Sequence, residues 1–103
     1  MKNVRTEVSF GVWDMAKLEC FVVPGIELWF FSQDHLPPRF HAKRKGKWEV
    51  RVFFLEGSPR QMFQVVWIKL KEVSRADLKL LEENVTAKRA ELLEEWEKKV
   101  LPQ

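Results

Sequence analysis

Residues 34–41 read Asp34-His35-Leu36-Pro37-Pro38-Arg39-Phe40-His41, placing one acid, two imidazoles and a guanidinium within eight positions. These side chains suit three chemistries. Two histidines can divide acid and base work near neutral pH, and Arg39 or Lys43 can hold charge on phosphorus. That set could cleave RNA without a metal, with His35 and His41 as the candidate catalytic pair. Asp34, His35 and His41 are also metal-ligand types. An adjacent Asp-His pair diverges if extended and no fourth ligand stands out, so no metal site is assigned. The third chemistry is anion contact. Asp34, Arg39, His41, Lys43, Lys45, Lys47 and Arg51 form its candidate binding set, because cations beside aromatic rings can neutralise phosphates and stack bases.

Each of these readings has a plainer counterpart. Two histidines six positions apart are a weakly specific pattern. The charged residues also fit the wet face of an antiparallel sheet, and Asp34 is expected to accept backbone N–H groups in a proline-rich corner. The chain shows no glycine-rich phosphate loop, serine elbow or zinc-finger spacing. Cys20 is the one cysteine, so no disulfide can form within the chain. Packing explains it better than redox chemistry does. No cofactor is assigned.

The elements that must position these residues follow from local pattern. Pro37 and Pro38 exclude helix and make a stiff corner. Before it, residues 26–33 read as an interior strand, with Ile26, Leu28 and Phe30 on one face and Trp29 and Phe31 on the other. After it, residues 39–43 and 47–55 read as a hairpin. A three-residue loop, Arg44-Lys45-Gly46, opposes Ala42 to Trp48, Phe40 to Val50, His41 to Glu49 and Arg39 to Arg51, which sorts apolar from polar. It also puts a glycine where a left-handed residue is wanted.

Residues 61–70 (QMFQVVWIKL) are apolar on both sides and β-branched, and read as a strand. From Ser74 the period changes. Ser74 and Asp77 resemble a capping box, and Leu78, Leu81, Val85, Leu92, Trp96 and Val100 form one helical stripe. Asn84-Val85-Thr86 is a run of poor helix formers that marks where a kink would fall. The expected fold is α+β: an antiparallel sheet of three to four strands under a long C-terminal helix over residues 74–100. The helical residues Leu81, Leu92 and Trp96 are expected to meet Phe40, Trp48, Val50 and Val52. Residues 1–25 resist assignment. A weak strand over residues 8–13 and a short helical turn capped by Asp14 and running to Phe21 are the two readings offered.

At 103 residues the chain suits one domain with one modest core. Eight Phe, five Trp and no Tyr make that core large and flat. The net charge of +3 is uneven, with 12 Lys and Arg against 8 Asp and Glu up to residue 73 and a small acidic excess after it. That balance permits an anionic partner without requiring one. No stretch reaches the ~20 apolar residues of a membrane span, and no signal-like run opens the chain. With a lone cysteine, a cytoplasmic location is the expectation.

The segment FFSQDHLPPRFHA, Phe30 to Ala42, resembles the signature of a small bacterial family, domain of unknown function 4160. That signature runs aromatic strand, Asp or Glu, His, any residue, Pro-Pro, His, an apolar residue, His. ELLEEW, Glu91 to Trp96, is similar to the pattern that ends the family's helix. The resemblance spans about residues 26–97 and is weak over residues 56–73. Arg39 stands where the family usually has His, and a permanent cation there fits anion contact better than metal ligation. The resemblance implies one half of a toxin–antitoxin-like pair of small cytoplasmic proteins. Two expectations follow: an interaction module presenting its basic hairpin to a protein or nucleic-acid partner, or an endoribonuclease toxin using His35 and His41. The incomplete catalytic set favours the first.

Overall fold

Alternating apolar side chains draw five short strands into one antiparallel sheet, ordered β1-β2-β3-β4-β5 along the chain. They are β1 (Met15–Lys17), β2 (Glu27–Phe31), β3 (Phe40–Arg44), β4 (Trp48–Val52) and β5 (Phe63–Ile68). A one-turn helix α1 (Pro59–Met62) precedes β5, and the long helix α2 (Arg75–Lys99) follows it. The computed structural model describes residues 15–100, so the weak strand pattern at residues 8–13 and Asp14 lie outside the described residues. The expected α+β class and C-terminal helix hold; the sheet has one strand more than the upper expectation.

That strand is β1. Residues 15–17 do not continue a helical turn from Asp14. They pair with β2, Met15 opposite Phe31, Ala16 opposite Phe30 and Lys17 opposite Trp29. Lys99 at the end of α2 donates to the Lys17 carbonyl at 2.7 Å, which ties the strand to the helix. β2 is interior, as its apolar residues on both faces require.

The hairpin loop has three residues, but it lies one position later than expected. Arg44 opposes Trp48, leaving Lys45, Gly46 and Lys47 as the loop. Lys47 N–H donates to the Arg44 carbonyl at 2.8 Å, and Gly46 takes the left-handed φ of 75°. Ala42 therefore faces Val50, Phe40 faces Val52, Lys43 faces Glu49 and His41 faces Arg51. Shifting a register by two residues keeps every side chain on its face. Face sorting alone could not separate the two alignments. What separates them is Arg44, which the true register places on the helix side. There its guanidinium grips Asp77 of α2 twice, at 2.9 and 2.8 Å.

The run at residues 61–70 is not one strand. Pro59 occupies the first turn of α1, where its missing N–H is harmless. Met62 N–H closes that turn on Ser58 O at 2.9 Å and its side chain is buried. Extended geometry begins only at Phe63.

α2 starts as its sequence suggests, with the Ser74 hydroxyl accepting from Asp77 N–H at 3.3 Å. Its backbone is disturbed at Lys88 (φ −120°, ψ 20°), two residues beyond Asn84-Val85-Thr86. Leu81, Val85, Leu92 and Trp96 enter one core cluster with Phe30, Phe40, Trp48, Val50 and Val52. Arg89 uses its place near the stripe differently: Nε donates to the Phe54 carbonyl at 2.7 Å and holds the chain after β4 against the helix. Gly25 is needed for two reasons. Its φ is 81°, and a Cβ there would lie 2.7 Å from Arg44 Nη1.

Candidate functional site

The outer face of the sheet, away from α2, carries the residues singled out for chemistry. Direct pairings lay them in two rows. Lys17, Trp29, His41, Arg51 and Gln64 form one; Glu27, Lys43, Glu49 and Trp67 form the other. The corner after β2 folds Asp34 back over the first row. Asp34 N–H closes a turn on the Phe31 carbonyl at 3.0 Å, and the Leu36–Pro37 peptide is cis.

Asp34 is the hub of this face, in a role different from the one its sequence context suggested. Among the described residues its carboxylate serves side chains and no backbone amide. Oδ2 lies 2.6 Å from His41 Nε2, and Oδ1 accepts from Arg39 Nη2 at 2.9 Å. Burial alone would raise the Asp34 carboxyl. The His41 hydrogen bond and charge, followed by those of Arg39, outweigh burial and hold it below its ordinary value. Arg39 is fastened further, through Nη1 to the Pro37 carbonyl at 3.1 Å and over the Phe53 ring at 5.7 Å.

His41 is 3% exposed. Trp29 stacks on it at 5.5 Å, and the Phe31 ring meets it edge-on at 4.5 Å. Because an ionised carboxylate only accepts, Nε2 carries the proton shared with Asp34. Nδ1 lies 3.7 Å from Glu49 Oε2, near enough for attraction and too far for a hydrogen bond. The expected His41–Glu49 contact thus survives as a diagonal, not as a directly opposed pair. An acid-oriented imidazole is two-thirds of an acyl-transfer arrangement. Here its second nitrogen faces a carboxylate.

His35 is exposed on the corner, and no hydrogen bond or ring contact joins it to His41 among the described residues. The structure therefore gathers Asp34, Arg39 and His41 and leaves His35 apart. The other cations are mostly engaged. Lys43 Nζ lies 3.7 Å from Glu27 and 5.8 Å from the centre of the Trp29 ring. Arg51 donates to Gln64 Oε1 at 3.0 Å. Lys45 and Lys47 stand exposed at the hairpin tip. Among the described residues, no group of three or more His, Cys, Asp or Glu is placed to hold a metal ion.

A second polar cluster escaped sequence reasoning. Glu95 of α2 accepts Glu19 N–H at 2.7 Å, Cys20 N–H at 3.1 Å and Lys99 Nζ at 2.6 Å. Its i,i+4 spacing with Lys99 was the only hint. Burial, then the adjacent Glu95 carboxylate, pushes the Cys20 thiol up to about 11. The thiol stays protonated at neutral pH, which suits packing. Cys20 should react with iodoacetamide at pH 8 at least about tenfold more slowly than free cysteine, followed by mass spectrometry, since each unit of raised pKa removes about tenfold of thiolate. Labelling at the free-cysteine rate in the folded protein would contradict this assignment.

The largest feature missed lies on β5. Val65, Val66 and Trp67 are 50%, 39% and 38% exposed. The apolar pattern reads as a strand without fixing its place in the sheet, and β5 ends the sheet order. The α2 stripe is the width of one helix, and it does not cover this edge.

Residues 25–97 match the family model described as Domain of unknown function (DUF4160). No curated protein and no solved structure matches the chain.

Proposed function

The chain belongs to the DUF4160 family, and from that premise we propose that it is an interaction module of a toxin–antitoxin-like pair of small bacterial cytoplasmic proteins, built to hold a protein partner. The observation that carries this reading is the open, apolar run Val65-Val66-Trp67 on a strand at the edge of the sheet. An edge strand normally carries charge, proline or cover, and contiguous apolar exposure marks interaction sites. No helix among the described residues is long and apolar enough to cross a membrane.

The basic hairpin face is the weaker docking candidate. Arg39, His41, Lys43 and Arg51 already have partners within the chain. Lys45 and Lys47 remain for a nucleic acid. On a single strand two cations give a log–log salt slope of about −1.4, so affinity from them would fall only about sevenfold between 50 and 200 mM salt. That is a steering contribution. The metal-independent endoribonuclease reading would need His35 and His41 on one phosphate, and no contact between them supports it.

The test is co-expression with the product of each adjacent gene. One product should co-purify with the chain. A Val65→Asp/Trp67→Asp double variant should weaken that complex at least about tenfold, as removal of a central aromatic anchor does. A Lys45→Glu/Lys47→Glu variant should retain it. Absence of any complex, or a complex indifferent to the β5 variant, would overturn the proposal.

A further inference from the structure

The backbone of β5 says what kind of partner its surface fits, an inference that rests on the protein-partner reading above. Lys69 N–H donates to Lys47 O at 2.9 Å, and Phe53 N–H donates to Met62 O at 2.7 Å. Backbone groups alternate in direction along an antiparallel ladder. Counting from these two bonds, the amides of Trp67 and Gln64 turn toward β4, and those of Val65 and Ile68 turn to the open edge. The register shift between Glu49 and Val50, with Val66 as the extra residue, changes the phase between them. Phe63 also turns outward, but its N–H is taken by the Pro59 carbonyl.

Side chains supply the second half of the argument. Beside the edge, a groove between β5 and α2 is lined by Phe63, Val65 and Leu78. Alternate apolar side chains of an added strand would enter it, since a strand sends every second residue to one face. Arg60, Arg75 and Lys79 also line the groove, against Glu82 alone. Beyond the strand's far end stand Lys69 and Lys71, with Glu72 beside them, all exposed. The surroundings are therefore basic.

That charge discriminates between occupants. A second copy pairing antiparallel about Val65 and Val66 would bring the Arg60 end of one strand toward the Lys69 and Lys71 end of the other. Like charges placed opposite each other across strands are destabilising. An acidic segment meets favourable charge at both ends. We propose that β5 receives an extended, acidic segment of a protein partner as a sixth strand, its backbone on Val65 and Ile68 and its apolar side chains in the groove beside Leu78. This is strand addition, in which main-chain bonds give affinity and alternate side chains give specificity.

The test uses the full chain, labelled with nitrogen-15, titrated with an eight-residue peptide of alternating valine and glutamate. Shifts should concentrate on residues 63–68, and the Val65 and Ile68 amides should exchange about tenfold more slowly when the peptide is bound. The same peptide with lysine for glutamate should bind at least about fivefold more weakly at low salt, because exposed opposite charges steer and like charges repel. Val65→Pro should abolish binding; preserved α2 signals would show that the variant folds. Arg75→Glu/Lys79→Glu leaves the strand intact and should reverse the preference between the two peptides. Shifts elsewhere, or none at millimolar peptide, would overturn strand addition. So would slow exchange of Val65 and Ile68 in the free protein, whether sedimentation shows a dimer or a monomer covering its own edge. A neighbouring gene product that still binds through β5 would then leave the protein-partner reading standing, while loss of both would remove both.

Discussion

Trp96→Ala should lower the unfolding free energy by about 3–5 kcal/mol, the cost of emptying a fully buried indole. Trp96 is 1% exposed and sits in the core cluster with Phe30, Phe40, Val50 and Leu92. It is the largest fully buried side chain among the described residues, so α2 depends on it for docking. A domain of this size has about 5–15 kcal/mol in total. The variant should therefore be marginal, with its thermal midpoint lowered by about 15–30 °C. Urea unfolding should show a lower midpoint with the slope kept. Trp96→Phe separates volume from polarity. The indole Nε1 is buried with no hydrogen-bond partner among the described residues, and an unmet buried donor costs about 1–3 kcal/mol. Removing it offsets part of the lost contact, so Phe should cost under about 1.5 kcal/mol. A Trp96→Ala protein within about 1 kcal/mol of the parent would mean that the helix is not seated on this sheet.

The same residue shows why the core was legible from sequence. Leu81, Val85, Leu92 and Trp96 repeat with the period of a helix, and Phe40, Ala42, Val50 and Val52 repeat with the period of a strand. Only one face of each can be buried, so the two stripes must meet. What was not legible depended on distances along the chain that leave face assignment unchanged. The hairpin slipped by two residues because every side chain kept its side. Arg44 and Asp77, 33 positions apart, carry no local signal of their bidentate pair. β1 is three residues long, too short for a period to declare itself.

The site divides in the same way. The Pro-Pro corner was readable, since two fixed φ angles exclude helix whatever surrounds them. That it would fold Asp34 onto His41 was not, because the carboxylate could equally have served the corner's own amides. His41 looked presented because strand alternation puts it on the outer face. Trp29 and Phe31 share that face and close over it. A nominally wet face can be buried by its own aromatics. The reverse holds at β5, where apolar residues on both sides marked a strand and left its place in the sheet open. Sequence records which residues avoid water, and it does not record whether the cover comes from the same chain.

Asp34→Asn tests whether the outer-face cluster is structural. At pH 7 it should cost about 2–3 kcal/mol. Breaking a fully buried ion pair costs roughly 3–5 kcal/mol, and the 17% and 18% exposure of the Asp34 and Arg39 side chains lowers that figure. The amide keeps the shape of the carboxylate, so the loss reads charge and hydrogen bonding alone. Its pH dependence has a definite sign. The Asp34 carboxyl is held below its ordinary value in the folded state. Its stabilisation is thus complete well above the unfolded value of about 3.9 and is lost as pH falls through the folded value. Below about pH 5 the gap between parent and variant should narrow progressively as pH falls through the unfolded and then the folded value of this carboxyl.

The variant should still lose some stability in acid. Burial raises the Glu95 carboxyl, but the Lys99 hydrogen bond and the Glu19 and Cys20 amides outweigh burial and hold it low. Asp34→Asn/Glu95→Gln should flatten the acid limb further. A gap that widens as pH falls below about 5 would contradict the depressed Asp34 carboxyl. The same variant bears on function, because β5 lies two strands beyond the β3 strand that carries His41. If the cluster only braces the corner, Asp34→Asn held well below its unfolding midpoint should bind the acidic peptide and the neighbouring gene product as the parent does. Lost binding in a folded Asp34→Asn protein would move the partner's footprint onto the Asp34–His41 face and away from β5.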